Sequence, residues 1–331
     1  MTDFQAEKDI VRAHHAALAA AGPADMADAL ARHGAADWHW RGMCPFDELA
    51  GPEAVATAFW APLATALTGL QRREDIFFAG LNEIDGFTGR WVVSMGHLMG
   101  LFDKPWLGIR PTRKLVMLRY AEFHHVRDGR IVETAQFFDI PHLMAQAGQP
   151  LFGPATAQHL VQPGPRTHDG LLRGPQPGGD GAATLAAING MIGDLGCWGL
   201  GLPLEEELRR SWAEDMLWWG PEGIGATYTI PRYAAQHAAP FRAAFTDRSR
   251  TGHVARLAEG HYGGFFGWPN FTARPLGGFL GLPGSDRAAE FRVVDIYRRA
   301  GDKLAENWVF IDMLHVLRSQ GVDLPAGLDG I

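Results

Sequence analysis

The chain says the same thing twice, and that limits it to folds that can be built from two similar halves. Near the end of each half an apolar strand closes on an aspartate and passes into a short helical pattern. The two stretches are Glu133-Thr-Ala-Gln-Phe137-Phe-Asp139-Ile-Pro-His142-Leu-Met144 and Glu306-Asn-Trp-Val-Phe310-Ile-Asp312-Met-Leu-His315-Val-Leu317. Each finishes at a glycine, Gly148 or Gly321, at one offset of 173 residues. Upstream, Gly96-His97-Leu-Met-Gly100-Leu-Phe102 matches Gly260-His261-Tyr-Gly-Gly264-Phe-Phe266, and Trp40-Arg-Gly42 with Pro62 matches Trp218-Trp-Gly220 with Pro240. Three blocks in one order describe a tandem pair of globular domains. Two copies of roughly 145 residues are far longer than solenoid repeats.

A chain of 331 residues suits two cores better than one. The expected division is a first copy over 1–148, a linker over 149–183 and a second copy over 184–331. The linker holds Pro150, Pro154, Pro163, Pro165, Pro175 and Pro177 among glycines, a composition expected to give a stiff connector without helix or sheet. The net charge of −7 is spread over the chain, with 14 Lys and Arg against 18 Asp and Glu in residues 1–148, so no basic face points to nucleic acid or anionic membrane. No apolar run reaches the ~18 residues of a membrane span. The polar start (Thr2, Asp3, Gln5, Glu7, Lys8, Asp9) lacks the pattern of a signal peptide. Cys44 and Cys197, one per copy, suggest a reducing compartment rather than a disulfide framework. A cytoplasmic protein is expected.

In the first copy, helical spacing at Ile10, Val11, His14 and Leu18 precedes a shorter helix through Met26 and Leu30. A short strand over 37–40 follows, then a helix from Gly51 that Pro62 should kink or end. Strand patterns occupy 75–79, 90–102, 114–127 and 130–138, the last two joined by the turn signal Asp128-Gly129. Helices first and antiparallel strands after them give an α+β domain whose sheet curls around its helices and leaves a cavity.

One parity of the last strand carries Glu133, Ala135, Phe137 and Asp139, and its counterpart carries Glu306, Trp308, Phe310 and Asp312. A carboxylate among aromatic walls would have its pKa raised, as a general base working near neutrality requires. Asp139 and Asp312 also stand where N-caps stand, so each is a cap, a catalytic group, or both. His97 and His261, expected mid-strand between glycines and with Met99 on the parity of His97, either polarise a substrate carbonyl or are core histidines. His142 and His315 lie in the first helical turn and read as partners of the cap. Metal spacing is not evident: His14-His15 and His124-His125 are adjacent pairs expected to point to different faces. The stretch Gly190 to Gly201 lacks the spacing of a dinucleotide loop and reads as a plain loop. No cofactor is expected.

The order Gly96-His97-Leu-Met-Gly100, Gly108-Ile-Arg-Pro111-Thr112-Arg-Lys114, the hairpin 127–133 and the closing Asp139 resembles the SnoaL-like polyketide cyclases. The second half resembles them again through Gly260-His261, Gly281-Leu-Pro283-Gly-Ser285-Asp-Arg287 and Glu306-Asn-Trp308 to Asp312. The block offset changes from 164 to 173, which implies about nine extra residues near Pro269–Leu280 of the second copy. The resemblance implies the cone-shaped α+β fold of nuclear transport factor 2 and a cofactor-free aldol ring closure. Asp139 and Asp312 would be the acid/base groups, with His97 and His261 beside them. Phe137, Trp60, Met99, Trp308, Phe310 and Trp218 would line pockets for a small apolar or aromatic metabolite, and the tandem copies would form an intramolecular pseudo-dimer able to self-associate. Ala135 stands where the family prefers Trp, so Trp106 or Trp60 is expected to fill that volume and the tighter pocket to lie in the second copy.

Overall fold

A computed structural model describes residues 3–157, 160–195 and 201–328. The chain forms two compact units. Of the described residues, the first gathers 3–151, 160–175 and 312–328, and the second 152–157, 176–195 and 201–311.

The first unit opens with α1 (Gln5–Ala20) and α2 (Met26–Ala31), whose buried Val11, His14, Leu18 and Leu30 follow helical periodicity. Next come β1 (Gly34–Gly42), β2 (Asp47–Ala50) and a continuous helical stretch of α3 (Pro52–Val55), a π turn (Ala56–Trp60) and α4 (Ala61–Ala66). Pro62 therefore does not end the helix. It has no N–H to give an i→i−4 bond, and the helix widens to π geometry just before it. The strands β3 (Leu67–Leu81), β4 (Arg90–Phe102), β5 (Leu115–Arg127) and β6 (Arg130–Phe138) make an antiparallel meander, and α5 (Ile140–Gln146) closes it. The hairpin between β5 and β6 turns on Asp128 (φ 51°) and Gly129 (φ 75°), the two positive φ values of a type I′ turn. The sheet order is β2-β1-β6-β5-β4-β3, antiparallel except where β1 runs parallel to β6.

The second unit repeats the plan. After α6 (Gly178–Leu195) and α7 (Leu204–Arg209) come β7 (Trp212–Trp219), β8 (Ala226–Tyr228) and α8 (Ile230–Tyr233). A π turn (Ala234–Ala238) and α9 (Ala239–Ala244) follow, with Pro240 placed as Pro62 is. The long strand of the first unit is here divided into β9 (Phe245–Arg250) and β10 (Ala255–Glu259), before β11 (Tyr262–Pro275), β12 (Ala289–Ala300) and β13 (Lys303–Ile311). Again one pair, β13 with β7, is parallel. The fold is α+β with two separate curved sheets, each carrying its helices. α10 (Met313–Ser319) belongs to the first unit.

Three local expectations change. The Pro/Gly-rich stretch is helical from Gly178, because glycines tolerated in a first turn do not stop a helix whose Gly181, Thr184, Ile188 and Met191 are buried. The same helix takes Gly190 to Leu195 out of the expected loop, while Cys197 and its neighbours 196–200 lie outside the described residues. Residues 170–172 are not a free connector either: Phe77 N donates to Gly170 O at 2.8 Å and Leu172 N to Phe77 O at 2.7 Å, in a bridge beside β3.

The recurring Trp-x-Gly has a direct cause. Residues i and i+2 of a strand share a face, and the rings of Trp40 and Trp218 lie over Gly42 and Gly220. A Cβ at Gly42 would meet the Trp40 ring at 2.1 Å, and one at Gly220 would meet Trp218 at 2.2 Å. Gly42→Ala and Gly220→Ala are each expected to lower unfolding free energy by about 1–3 kcal/mol, as overpacking does, read from urea midpoints at constant m-value.

Candidate functional site

Ladder register fixes which residues face the helices. In the first unit Ser94 pairs with Glu122, Glu122 with Gln136, His124 with Thr134, and Thr134 with Trp40. These side chains share the side on which Trp40 packs against Phe59 of the π turn, at 5.7 Å between ring centroids. In the second unit the same positions hold Phe265, Asp295, Val309, Tyr297, Asn307 and Trp218, and Trp218 stacks on His237 of the π turn at 4.0 Å.

The parity read from sequence holds, but its face is the one turned away from the helices. Phe137, Trp308 and Phe310 are buried on the opposite face of their sheets, and Met99 and His97 share that face of β4. Both faces of β6 and β13 are buried, so alternation gave no sign of which one the helices cover. Trp60 and Trp218 are on the helix side as expected: the Arg72 guanidinium lies 5.8 Å from the Trp60 ring. Trp106 packs on Phe46 and Phe59, while the ladder neighbours of Ala135 on its own face are Arg41 and Phe123.

The closing aspartates are caps. Asp139 accepts from His142 N at 3.1 Å and from Arg119 Nη1 at 3.2 Å, and Asp312 accepts from His315 N at 3.1 Å. The other oxygen of Asp312 accepts from Cys44 N at 2.9 Å, so this residue of the second copy completes the first unit, where Arg318 also meets Asp47 at 2.7 Å. His97 lies 3.4 Å from Asp75 and takes a hydrogen bond from Gln162 N.

His261 is not in a strand. It sits exposed in the turn between β10 and β11, with Arg299 Nη2 3.2 Å from its Nδ1. The ladders equate Trp91 with Tyr262, because His125 pairs with Trp91 and Glu133 while Arg298 pairs with Tyr262 and Glu306. The offset along β4 and β11 is thus 171 as far as Gly96 and Gly267 and 173 from Leu98 and Phe271, so the insertion of nine residues shrinks to two, at the register shift between Gly267 and Phe271 where His97 stands in β4.

What the helix side does hold was missed by the motif reading. In the first unit Arg72 pairs both oxygens of Glu122, at 2.6 and 3.1 Å, and Gln136 Nε2 adds a bond at 2.9 Å. His15 Nε2 lies 3.1 Å and His124 Nε2 3.5 Å from the same carboxylate. Burial alone would raise the Glu122 pKa, but Arg72 and the two histidines hold it well below the usual carboxylate range. Burial, then Arg72, lowers His15 to about 3. Glu122 is therefore a fixed anion and a poor base.

The second unit arranges the same position differently. The Asp295 carboxylate accepts from Asn307 Nδ2 at 3.2 Å and is hydrogen-bonded to Tyr297. Burial raises its pKa to about 6 against those bonds. Around it stand Phe265, Tyr233 and Tyr297, and the Trp212 ring lies tilted against both tyrosines, at 6.1 and 5.9 Å between centroids. Burial lowers His237 to about 3, so its ring is neutral at pH 7, and it contacts Tyr233 at 5.4 Å. A carboxylate with a raised pKa, two phenols and a neutral imidazole among aromatic rings can move a proton and steady an oxyanion. The signal available in sequence was Asp295 and Tyr297 on one strand parity, facing Asn307 across the hairpin.

Residues 231–320, which contain His237, Asp295, Tyr297 and Asn307, match the family described as SnoaL-like polyketide cyclase. Among solved structures, the chain is similar to a SnoaL-like protein from Jannaschia Sp. CCS1 at 19% identity, over 45% of this chain and 94% of that one, with a TM-score of 0.36. It is similar also to NTF2-like proteins from Burkholderia thailandensis E264 (23%, 45% and 100%, TM-score 0.33) and Burkholderia xenovorans LB400 (17%, 42% and 97%, TM-score 0.34). No curated protein matches. Among the described residues no helix is long and apolar enough to cross a membrane.

Arg72→Met tests the account of Glu122. It leaves a buried carboxylate without its cation, so stability at pH 7 should fall by about 3–5 kcal/mol. The wild-type pair, whose carboxylate pKa is depressed on folding, contributes above the unfolded pKa and loses its contribution as pH falls below it. The deficit of the variant should accordingly shrink as pH is lowered through ~4, as followed by denaturant unfolding.

Proposed function

We propose that the protein is a cofactor-independent acid/base enzyme of the polyketide-cyclase type, acting on a small apolar or aromatic carbonyl compound in the second unit. The observation that carries this is the Asp295 carboxyl, raised to about 6 among aromatic rings and held by two neutral partners, Asn307 and Tyr297. Asp295 would take a proton α to a carbonyl. Tyr233, Tyr297 or the neutral His237 would donate to the enolate oxygen, and the Trp218 and Trp212 rings would exclude water. The match over residues 231–320 supports the same half of the chain. Aldol closure is the reaction best suited to such a pair. Hydration, dehydration or hydrolysis would use the same groups, and a binding protein would need only the walls. Asp139 and Asp312 are assigned to capping and not to proton transfer. The copies 1–148 and 184–331 are proposed as the units of duplication, with the chemistry retained in one.

Two measurements on Asp295 check this. With a carbonyl substrate identified by screening, Asp295→Asn should lower kcat by a factor of ~10² or more, whereas Asp312→Asn should lower stability and leave kcat within a few-fold. The kcat/KM of the wild type should rise with pH through about 6 and level off above it.

The stability effect has the opposite direction. A carboxyl whose pKa is raised on folding binds its proton more tightly in the folded state, so stability falls as pH rises from ~4 to about 6. Asp295→Asn should therefore be more stable than wild type at pH 7, by about 1–3 kcal/mol, in the same assay. Unchanged turnover in Asp295→Asn, with substrate still bound, would put the binding-protein reading first.

A further inference from the structure

The first unit, whose interior plays no part in the proposed reaction, contains a second constellation. His15 on α1, and Glu122 and His124 on β5, bring one nitrogen or oxygen each to within 4.8 Å of one another. Measured at Glu122 Oε2, the separations are 3.1 Å to His15 Nε2 and 3.5 Å to His124 Nε2. Ligands on a tetrahedral ion with bonds of 2.0–2.1 Å stand roughly 3.3 Å apart, so the pocket is already close to that spacing.

The remaining nitrogen of His124 is hydrogen-bonded as in metal-binding histidines, and that of His15 faces a carboxylate beyond hydrogen-bond distance. His124 Nδ1 is 2.9 Å from Thr134 Oγ1, itself bonded by Trp38 Nε1 at 3.0 Å, and His15 Nδ1 is 3.8 Å from Glu74. His124 is 1% exposed, and its Nε2 faces Glu122 Oε2 at 3.5 Å, too far for a well-formed hydrogen bond. A buried nitrogen left so ordinarily costs ~1–3 kcal/mol. His14 adds a third imidazole, its ring 5.8 Å from that of His124 and 5.9 Å from that of His15. Adjacent histidines on a helix thus converge on one strand residue, contrary to the sequence expectation, because the His124 ring lies over the boundary between them.

We propose that His15, Glu122 and His124 form a binding site for a first-row divalent cation such as Zn²⁺, with Glu122 Oε2 and the two Nε2 atoms as protein ligands. Two imidazoles and a carboxylate suit such an ion and leave a coordination position for water or a substrate oxygen. The His15 side chain, 10% exposed, is the point of entry. Arg72 competes for the same oxygen at 2.6 Å. When an ion binds, the guanidinium keeps Oε1, and it stays over the Tyr120 ring at 4.4 Å.

The test titrates Co²⁺ and Zn²⁺ into metal-stripped full-length protein. Expected are one equivalent of Co²⁺ with the intense visible absorption of four- or five-coordination, displaced by Zn²⁺, and a loss of affinity of at least 10-fold in His124→Gln and His15→Gln. Because such variants can also lose fold, Arg72→Met gives an independent reading. Freed of its competitor, it should bind Zn²⁺ at least 10-fold more tightly than wild type, and Zn²⁺ should restore stability that it lacks in chelator. The proposal is overturned if no stoichiometric ion binds. It is equally overturned if folded His15→Gln and His124→Gln bind as the wild type does, or if Arg72→Met gains no affinity.

Discussion

Each half of the molecule depends on one packing constraint, a tryptophan ring laid flat along its own strand over a glycine two residues on. Trp40 over Gly42 and Trp218 over Gly220 place an indole between the sheet and the π turn of the helix above it. That strand is also the one that pairs parallel with the last strand of the meander, β1 with β6 and β7 with β13. The ring takes the space that a Cβ two residues on would need, so the glycine is what allows it to lie there. The interior polar residues are positioned against it: Trp40 Nε1 donates to Gln136 at 3.0 Å, and Gln136 reaches on to Glu122.

On matching frames the two interiors are in opposite electrostatic states. Glu122 and Asp295 occupy the same position of the same ladder. Both lose solvation, which by itself raises a carboxyl pKa. Glu122 has an arginine and two imidazoles to offset that loss, while Asp295 has an amide and a phenol. Opposite charge outweighs burial in the first, and burial outweighs neutral hydrogen bonds in the second. Different neighbours around a carboxylate at one ladder position are enough to separate a fixed anion from a titrating one.

How much of this was legible in the sequence depended on the range of the interaction concerned. The strands 90–102 and 130–138 and the Asp128-Gly129 hairpin were read correctly because alternation and turn chemistry are local. The caps at Asp139 and Asp312 were legible for the same reason. The strand face was not: with Phe137 and Phe138 both buried, hydrophobicity alone does not distinguish the side the helices cover. Aligning Gly96-His97 with Gly260-His261 failed because a Gly-His pair suits both a strand interior and a turn, and only the pairing of Tyr262 with Arg298 separates them. Arg72, Glu122 and His15 come together from three elements, and no short motif records that.

The helix α10 (Met313–Ser319) has a consequence for how the protein comes into being. Asp312 and Arg318 bind Cys44 and Asp47 at the start of the first sheet, and Leu328 O receives the Cys44 thiol at 3.6 Å. During synthesis the first unit therefore emerges with a gap that only later residues fill, after the whole of the second sheet has been made. Domains ordinarily fold in order from the N-terminus. Here the earlier domain is finished last, and a ribosome stalled within β13 would release a chain whose second sheet is nearly complete and whose first is still missing its closing helix.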